Sequence, residues 1–430
     1  MSDIVRLAQQ ARAASRALAA APARARGGAL LAVARALEAQ APALLAANAH
    51  DMAEAGALDT PLRKRLCFDA AKLAEACAGL RALAALPDPI GTTQRATELA
   101  PGLRLYRVAC PIGVVGVIFE SRPDALVQIA ALCLKSGNAA LLKGGREALH
   151  TNRALFGALY QATLDAGMPS GWAALLETRQ DVTEMLALDA CIDLIIPRGG
   201  NAFVRHIMQN SRIPVLGHAD GLCALYVDAA ADVDMAVALA VDGKAQYPAV
   251  CNATETLLVH REIAPRFLPP LAAAMAQAGV VLRGDARARA IIPCQPAADA
   301  DFDTEFLDLI LAVGVVDTLA EAVAHINAHG SHHTDAIVTR DTEAARAFLA
   351  GVDSAGVYHN CSTRFADGYR YGLGAEVGVA TGKLHARGPM GLEGLTTYKY
   401  KLLGHGQTVG AFASGQAAFA HLSMEEDCPL

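Results

Sequence analysis

One cysteine stands in a segment that suits a catalytic thiol. Cys251 lies in the stretch QYPAVCNATET (246–256), after an irregular Tyr247–Pro248 pair and directly before a β-favouring run, Thr254 to His260. A thiol at a loop-to-strand junction can face a cleft while the strand fixes its position, as a nucleophile activated by a lowered pKa or a nearby base requires. The chain has ten cysteines, and a buried cysteine commonly serves as a small apolar core residue. Both interpretations of Cys251 are open at this point.

Two glycine turns beside cations follow strand-like runs. The first is Lys143-Gly144-Gly145-Arg146, and the second is Pro197-Arg198-Gly199-Gly200. Such turns bring backbone N–H groups close to phosphate, helped by the N-terminus of a following helix. Lys143 suits a ribose or a phosphate, and Arg146 favours a 2′-phosphate and hence NADP over NAD. The GxGxxG dinucleotide fingerprint is absent, so ordinary turns without a ligand are the alternative.

Two further polar segments follow predicted strands. ESRPD (120–124) closes the first strand of a sheet, where ligands of α/β sheets bind, and its Arg122 suits a phosphate or a carboxylate. NCSTR (360–364) is polar enough to line a site. A solvated turn is the alternative for the first segment, and a helix cap is the alternative for the second.

The histidines and cysteines do not predict a metal site. His325 and His329 have the one-turn spacing of zinc-binding helices, but no acidic residue is interleaved as in H-E-x-x-H. His332 and His333 follow at the predicted helix end, where histidine is common. The cysteines are scattered without a CxxC pair, which fits neither a disulfide framework nor a zinc site and suits a reducing cytoplasm.

Composition excludes several classes of protein. A chain of 430 residues predicts two or three domains. Its net charge of −6 shows no basic surplus, which argues against a nucleic-acid-binding surface. The mean hydropathy of +0.28 comes largely from alanine, and no apolar run approaches the roughly 20 residues that a bilayer requires. The alanine-, arginine- and serine-rich start resembles a transit peptide, but it continues into amphipathic helix. We therefore expect a cytoplasmic protein without a membrane or nucleic-acid partner.

The order of predicted elements indicates how these residues are held. Residues 3 to 85 read as helices with a break at Gly27-Gly28, and 92–112 reads as a hairpin arm. Strand-like runs then lie at 113–119, 138–145, 172–177, 193–200 and 223–228, separated by helical segments. Strands alternating with helices predict a parallel sheet covered on both faces.

A second α/β unit follows Cys251. Strand-like runs lie at 254–260, 309–316, 335–340 and 355–360, with helices between them. Thr318-x-x-Glu321 predicts a capping box for one of these helices, and the domain boundary is expected near 229–245. The alternating tail TTYKYKLL (396–403) predicts an exposed strand that needs a partner edge, and hence a homo-oligomer.

Longer motifs resemble a known family. PIGVVGVIFESRPDAL, LKSGNAALLKGGREA, DLIIPRGG, the Cys251 segment, NCSTRFADG and LHARGPMGLEGLTTYKYKL resemble the aldehyde dehydrogenase superfamily, and within it the γ-glutamyl phosphate reductases, over nearly the whole chain. The resemblance implies an α/β fold with two parallel-sheet domains and a β oligomerisation arm. It divides the chain into a cofactor-binding domain (1–97 and 112–228), a catalytic domain (229–385), and an arm with the C-terminal tail (98–111 and 386–430).

The resemblance also implies roles for individual residues. Cys251 matches the nucleophile, Lys143 the lysine of the cofactor ribose, and Glu305 the acid that holds the nicotinamide ribose. Gly199-Gly200 falls in the cofactor turn. Ser121, Arg122, Asn252 and Arg364 are placed at the substrate.

Two departures separate this chain from the hydrolytic members of the superfamily. Ser121 occupies the position of their oxyanion asparagine. LGHADG (216–221) replaces their general-base glutamate with a segment containing His218 and Asp220. A thioacyl enzyme that waits for hydride is better without a base aimed at water.

The implied reaction is reduction of L-glutamyl 5-phosphate by NADPH, with glutamate 5-kinase as the partner that supplies the substrate. A hydrolytic, NAD-dependent aldehyde dehydrogenase is one alternative. A catalytically silent homologue that acts as an oligomeric scaffold is another.

Overall fold

The computed structural model describes residues 3–56, 60–217 and 220–430. The helices are Asp3–Ala20 (α1), Ala23–Ala39 (α2), Ala41–Glu54 (α3), Thr60–Leu66 (α4), Ala70–Ala85 (α5), Pro123–Lys135 (α6), Leu149–Asp165 (α7), Arg179–Met185 (α8), Asn201–Asn210 (α9), Val233–Ala245 (α10), Ala264–Gln277 (α11), Ala286–Arg289 (α12), Leu319–His329 (α13), Thr342–Gly351 (α14) and Val409–Ala413 (α15). The strands are Thr93–Ala100 (β1), Leu103–Pro111 (β2), Val114–Phe119 (β3), Ala139–Lys143 (β4), Ala173–Leu176 (β5), Leu194–Arg198 (β6), Cys223–Val227 (β7), Thr254–His260 (β8), Val281–Gly284 (β9), Gln295–Pro296 (β10), Ile310–Val316 (β11), Thr334–Val338 (β12), Gly356–His359 (β13), Gly378–Ala380 (β14), Gly388–Met390 (β15), Thr396–Leu403 (β16) and Leu422–Met424 (β17).

The first α/β unit is a parallel four-stranded sheet in the order β5-β4-β3-β6. Its strands are buried along their whole length or nearly so, as in a parallel sheet covered on both faces. Helices α2, α5, α6 and α7 pack together over one face around Trp172, which is fully buried and donates its indole N–H to Thr163 Oγ1 at 2.9 Å. The strands predicted at 113–119, 138–145, 172–177 and 193–200 are confirmed.

The second unit is a parallel seven-stranded sheet in the order β10-β9-β11-β8-β7-β12-β13. β7 pairs with β8 and β12 in this sheet. The predicted boundary after residue 228 therefore falls too late, because the chain passes from the first sheet to the second between Val215, which bridges to Ile195, and Cys223. Periodicity could not show this, since a buried parallel strand has the same sequence pattern in either sheet.

The arm is an antiparallel sheet in the order β16-β2-β1-β17. β1 begins at Thr93, so residues 93–97 lie in the arm rather than in the first domain as predicted. The tail strand β16 finds a partner within the chain, since Thr396 to Leu403 pair with Pro111 to Arg104 of β2. Its other edge is unpaired among the described residues, and its outer side chains are largely exposed.

The chain returns to its first sheet near the C-terminus. The hairpin of β14 and β15 belongs to neither large sheet. The apolar side chains around it join the core of the first unit; they are Val377, Ala380, Met390, Leu392 and Leu395. The predicted catalytic domain, which extends to residue 385, therefore includes a segment that packs on the other unit.

Two helix boundaries show how local signals compete. Gly27 and Gly28 lie inside α2 rather than between helices, because Pro22 at the N-cap starts the new helix first. Thr318 caps α13 by accepting the Glu321 N–H at 3.1 Å. The Glu321 carboxylate accepts the Asp317 N–H at 2.7 Å, one residue before the partner that a reciprocal capping box requires.

The described part of the chain contains no single helix with the length and apolarity of a membrane span. One bent pair, α2 with α3, meets both criteria together, and its members are inclined by 71°.

Leu271 tests the core of the second unit. Its side chain on α11 is fully buried, so Leu271→Ala removes apolar contacts and leaves a cavity. We expect a loss of about 2–5 kcal/mol in the free energy of unfolding, measured by guanidinium denaturation. Leu349→Ala is the matched control, because Leu349 lies on α14 but is 42% exposed. An equal loss in both variants would contradict the assignment of this core.

Candidate active site

The residues with predicted chemistry meet in one cleft of about 340 Å³ between the two α/β units. The first unit contributes the carboxyl ends of β3 and β6. The second unit contributes the loops that precede β8 and β11, together with the loop after β13. The predicted site residues that line the cleft are Arg122, Pro197, Arg198, Gly199, Gly200, Cys251, Asn252, Glu305 and Arg364.

Cys251 lies in the cleft with its side chain partly exposed, as a nucleophile requires. Its backbone packs tightly against Gly221: a Cβ atom at residue 221 would lie 2.2 Å from the Cys251 carbonyl oxygen and 2.4 Å from its Cα. The buried Cys223 thiol donates to the same carbonyl at 3.3 Å. The start of β7 therefore fixes the loop that carries the thiol.

Asn252 continues this fixed loop. Its side-chain Nδ2 donates to the Ala366 carbonyl at 2.9 Å, and its backbone carbonyl accepts from Thr363 Oγ1 at 2.8 Å. Its Oδ1 atom is buried and has no hydrogen-bond partner among the described residues. A buried acceptor without a partner is costly, so Oδ1 is a candidate to receive a donor from a ligand.

Behind the loop of Cys251 lies a fully buried ion pair. Lys244, at the end of α10, donates to Glu255 of β8 at 2.5 Å, and both side chains are 0% exposed. Burial raises the pKa of the Glu255 carboxyl to about 7 and lowers the pKa of the Lys244 amine, and each partner opposes the shift of the other. Glu255 also accepts the Leu307 N–H at 3.3 Å, which ties the loop of Glu305 to β8.

Arg364 faces the cleft from the second unit. Its Nε and Nη2 atoms donate to Gln246 Oε1 at 3.2 and 3.0 Å, so a side chain at the start of the nucleophile segment orients the guanidinium. Burial and the nearby Arg370 lower the pKa of Arg364, which indicates a cation that gains from an anionic ligand.

Glu305 is held at the N-terminus of α9. Asn201 Nδ2 donates to Glu305 Oε2 at 2.7 Å and to Asp220 Oδ1 at 2.8 Å. Asp220 in turn accepts two hydrogen bonds from Arg205. This network joins the two units across the cleft. It also occupies the Asp220 carboxylate with hydrogen bonds from Asn201 and Arg205. His218 lies outside the described residues.

The Gly199-Gly200 turn faces a protein carboxylate. Glu120 accepts the Gly200 N–H at 3.1 Å, and a Cβ atom at residue 199 would lie 2.8 Å from the same carboxylate. In this structure the turn therefore packs against a side-chain carboxylate.

The first glycine turn does not line the cleft. A Cβ atom at Gly145 would lie 1.9 Å from Glu147 Oε1, so the glycine makes room for that carboxylate. Glu147 accepts both the N–H (2.7 Å) and the hydroxyl (2.5 Å) of Ser121. Ser121 is only 2% exposed and has a left-handed φ of 37°. Ser121, predicted at the substrate, does not line the cleft of Cys251, because its hydroxyl is buried against Glu147.

Lys143 and its neighbours lie beside this turn. Lys143 is 8% exposed, its ammonium donates to the Gly144 carbonyl at 2.5 Å, and burial lowers its pKa. A Cβ atom at Gly144 would lie 2.2 Å from Asn152 Nδ2, so this glycine also accommodates a side chain. Arg146 is exposed.

The histidine pair lies away from the cleft. His325 stacks on His329, which bonds Asp303 at 2.8 Å. Burial, and then the neighbouring His329, lower the pKa of His325 to about 4.

Sequence reasoning missed several residues that shape the cleft. They are Arg65, Asn201, Gly221, Lys244, Gln246 and Glu255. Only Gly221 carried a signal, as the glycine that ends LGHADG. Lys244 and Glu255 lie within the second unit, on either side of Cys251 in the sequence. The remaining residues act through contacts with segments that are distant in the sequence.

The fold and this site define a class of enzyme. The model of the aldehyde dehydrogenase family matches residues 1–294, and the chain belongs to this family. Solved structures agree on the fold: a propionaldehyde dehydrogenase of Rhodopseudomonas palustris aligns with a TM-score of 0.66 at 14% identity, over 93% of this chain and 96% of that one.

Closer relatives place the chain more narrowly. It is 56% identical to the γ-glutamyl phosphate reductase of Pelotomaculum thermopropionicum, over 99% of this chain and 98% of the relative. It is 54% identical to that of Acetivibrio thermocellus over the whole of both chains. The crystal structure of the γ-glutamyl phosphate reductase of Thermotoga maritima superposes with a TM-score of 0.93 at 37% identity, covering 95% of this chain and all of the other. Within its family the chain therefore groups with the γ-glutamyl phosphate reductases. The resemblance inferred from the sequence motifs and the predicted fold class are confirmed.

Gly221 tests how the thiol is positioned. Gly221→Ala places a methyl group against the Cys251 backbone and must displace it, so we expect turnover to fall by about 10²-fold. The measurement is kcat at saturating substrate, with circular dichroism to confirm folding. Gly217→Ala is the control, because its Cβ would meet only ordinary contacts, the nearest at 3.4 Å. A Gly221→Ala enzyme with unchanged kcat would contradict the positioning role.

The buried ion pair gives a second test. Glu255→Leu leaves the Lys244 ammonium without a partner, so we expect the free energy of unfolding to fall by about 3–5 kcal/mol. The double variant Lys244→Met/Glu255→Leu removes both charges and should recover most of this loss, as measured by denaturant titration. A double variant no more stable than Glu255→Leu would show that packing, rather than the unpaired charge, sets the cost.

Proposed function

We propose that this enzyme reduces L-glutamyl 5-phosphate to L-glutamate 5-semialdehyde and phosphate with NADPH, in the second step of proline biosynthesis from glutamate. The observation that carries the proposal is the partly exposed Cys251 thiol in the same cleft as Arg122, Arg198 and Arg364. A thiolate attacks an acyl carbon, and guanidinium groups bind phosphate and carboxylate. The relatives from Pelotomaculum and Thermotoga carry the name of this activity.

The covalent steps centre on Cys251. Its thiolate attacks the carbonyl carbon of the acyl phosphate, so an S–C bond forms while the C–O bond to phosphate breaks. Phosphate departs with the bonding electron pair as an already stable anion and needs little general acid. After reduction of the thioester, the C–S bond of the hemithioacetal breaks, which releases the aldehyde and returns the thiolate. The backbone N–H groups of the fixed nucleophile loop and nearby donors stabilise the oxyanion.

The cofactor residues fit a nicotinamide dinucleotide. Glu305, which uses only Oε2 in the bond from Asn201, would accept the ribose hydroxyls of the nicotinamide half. The Gly199-Gly200 turn at the start of α9 would receive phosphate, and Lys143, Gly144, Gly145 and Arg146 would hold the adenosine half. Bound NADPH supplies the hydride that reduces the thioester.

The cleft also explains why the thioacyl enzyme would avoid hydrolysis. Hydrolytic members of this superfamily need a base aimed at water. Asp220, the described acid in the replacing segment, is held by Arg205 and Asn201. This supports the reductase over the hydrolytic alternative.

One unit is assigned to cofactor binding and the other to catalysis. The first unit, without the arm residues 93–111 but with the returning segment 377–395, is the cofactor domain, and residues 222–366 form the catalytic domain. The open edge of β16 exposes Tyr398, Tyr400 and Leu402, which supports a homo-oligomer through the arm. The ten free thiols suit a reducing cytoplasm, and glutamate 5-kinase is the proposed source of the unstable substrate.

Cys251→Ala tests the mechanism. We expect phosphate-dependent oxidation of glutamate 5-semialdehyde to fall to background, while NADP⁺ binding by fluorescence titration is unchanged, because only the nucleophile is lost. Cys294→Ala, which removes a partly buried thiol outside the cleft, should retain activity. The wild-type assay with NADP⁺ against NAD⁺ gives the cofactor preference, and turnover without phosphate would favour the hydrolytic alternative. Turnover by Cys251→Ala would refute the role of this residue.

A further inference from the structure

We propose that Arg65, Arg122 and Arg198 form the subsite for the phosphoryl group of the substrate, with Arg65 as a binding residue that no motif marks. This inference rests on the proposed function. The inference goes beyond that function because it assigns one end of the cleft to the phosphate and names the residues that hold the phosphate.

The three guanidinium groups come from separate elements and meet in the cleft of Cys251. Arg65 lies on the short helix α4, Arg122 follows β3, and Arg198 ends β6. Each is partly buried. Three cations from three distant segments line one cleft, although each of these flexible side chains could extend into solvent instead. The fold therefore gathers them at one place.

None of the three makes an ion pair within 4 Å over the residues that the structure describes. Burial, followed by the charges of Arg198 and Arg65, lowers the pKa of Arg122. Like charges without counter-ions repel in a partly desolvated cleft, and a doubly charged phosphoryl group would relieve this repulsion. Asp124 and Tyr247 oppose this shift in the pKa of Arg122, although Asp124 does not lie within ion-pair distance of it. Glu120 of the same loop accepts the Gly200 N–H.

Arg364 occupies a different place in the cleft. Gln246 orients it from the start of the Cys251 segment. Its electrostatic neighbours are Arg370, Cys251, Asp242 and Asp367, and none of the three-arginine group is among them. One cation fits the single charge of the substrate carboxylate, whereas three cations fit the double charge and three oxygens of phosphate. The departing phosphate therefore leaves toward the first unit.

The cofactor also carries phosphate groups, so the test must separate the two sources. In the direction of semialdehyde oxidation, inorganic phosphate is a substrate whose KM reports the subsite directly. NADP⁺ affinity, measured by titration without phosphate or aldehyde, reports the cofactor site. Arg65→Gln is the informative variant, because Arg65 lies outside the predicted cofactor turns. Arg63→Gln is the matched control, as Arg63 is exposed on the same helix and does not line the cleft.

We expect Arg65→Gln to raise the KM for inorganic phosphate on the order of tenfold or more, as loss of a charge-assisted hydrogen bond should. The Kd of Arg65→Gln for NADP⁺ and the KM of Arg63→Gln for phosphate should each stay within about twofold of the wild-type value. Arg65→Lys should recover part of the phosphate affinity. An unchanged phosphate KM in Arg65→Gln, or a larger effect on NADP⁺ than on phosphate, would overturn the assignment.

A single-turnover measurement keeps this test separate from the proposed function. Mixing enzyme, NADP⁺ and semialdehyde without phosphate should give a burst of NADPH from thioacyl formation, in wild type and in Arg65→Gln alike. Absence of the burst in wild type would sink the proposed function itself. A burst in both enzymes, together with an unchanged KM for phosphate in Arg65→Gln, would contradict only the assignment of the phosphate subsite.

Discussion

Two opposite charges placed wholly out of water hold the catalytic region together. Lys244 ends α10 and Glu255 lies on β8, so their contact clamps the segment that carries Cys251 between them. Glu255 also accepts from the backbone of Leu307, which brings in the loop of Glu305. A buried pair of this kind adds little net stability, but it tolerates few alternative arrangements, because either charge alone would be stranded. The Cys251 segment and the loop of Glu305 thus share one rigid support.

The cleft combines opposite ends of two parallel sheets. The first sheet follows the general rule of α/β proteins and presents the carboxyl ends of β3 and β6. The second sheet presents the loops that precede β8 and β11, so Cys251 and Glu305 approach from the amino ends of their strands. Because the two sheets face each other in this way, Arg122 and Arg198 of the first unit lie in the same cleft as the Cys251 thiol of the second. Catalysis therefore depends on the relative position of the units, which the bonds of Asn201 to Glu305 and Asp220 help to fix.

The strand and helix pattern was largely predictable, because buried parallel strands and amphipathic helices have strong periodic signals. The assignment of β7 to a sheet was not, since nothing local tells a strand which neighbours it will pair with. The same limit applied to the site. Cys251, Arg122 and Arg364 stood in recognisable loops, whereas Arg65 and Gln246 gained meaning only from the packing of distant segments. Ser121 is buried against Glu147, and its position in the sequence carries no information on that contact.

The returning segment around β14 and β15 has a consequence for biosynthesis. The core of the first unit is completed by Val377, Met390 and Leu395, the first of them 179 residues after its last strand ends at Arg198. A nascent chain emerging from the ribosome must therefore hold an unfinished apolar surface on its N-terminal half until nearly all of its length has been translated. Contacts of such long range slow folding and prolong the exposure of that surface. Chaperones that act on newly made chains should therefore bind this protein at its first unit, and throughout most of its translation.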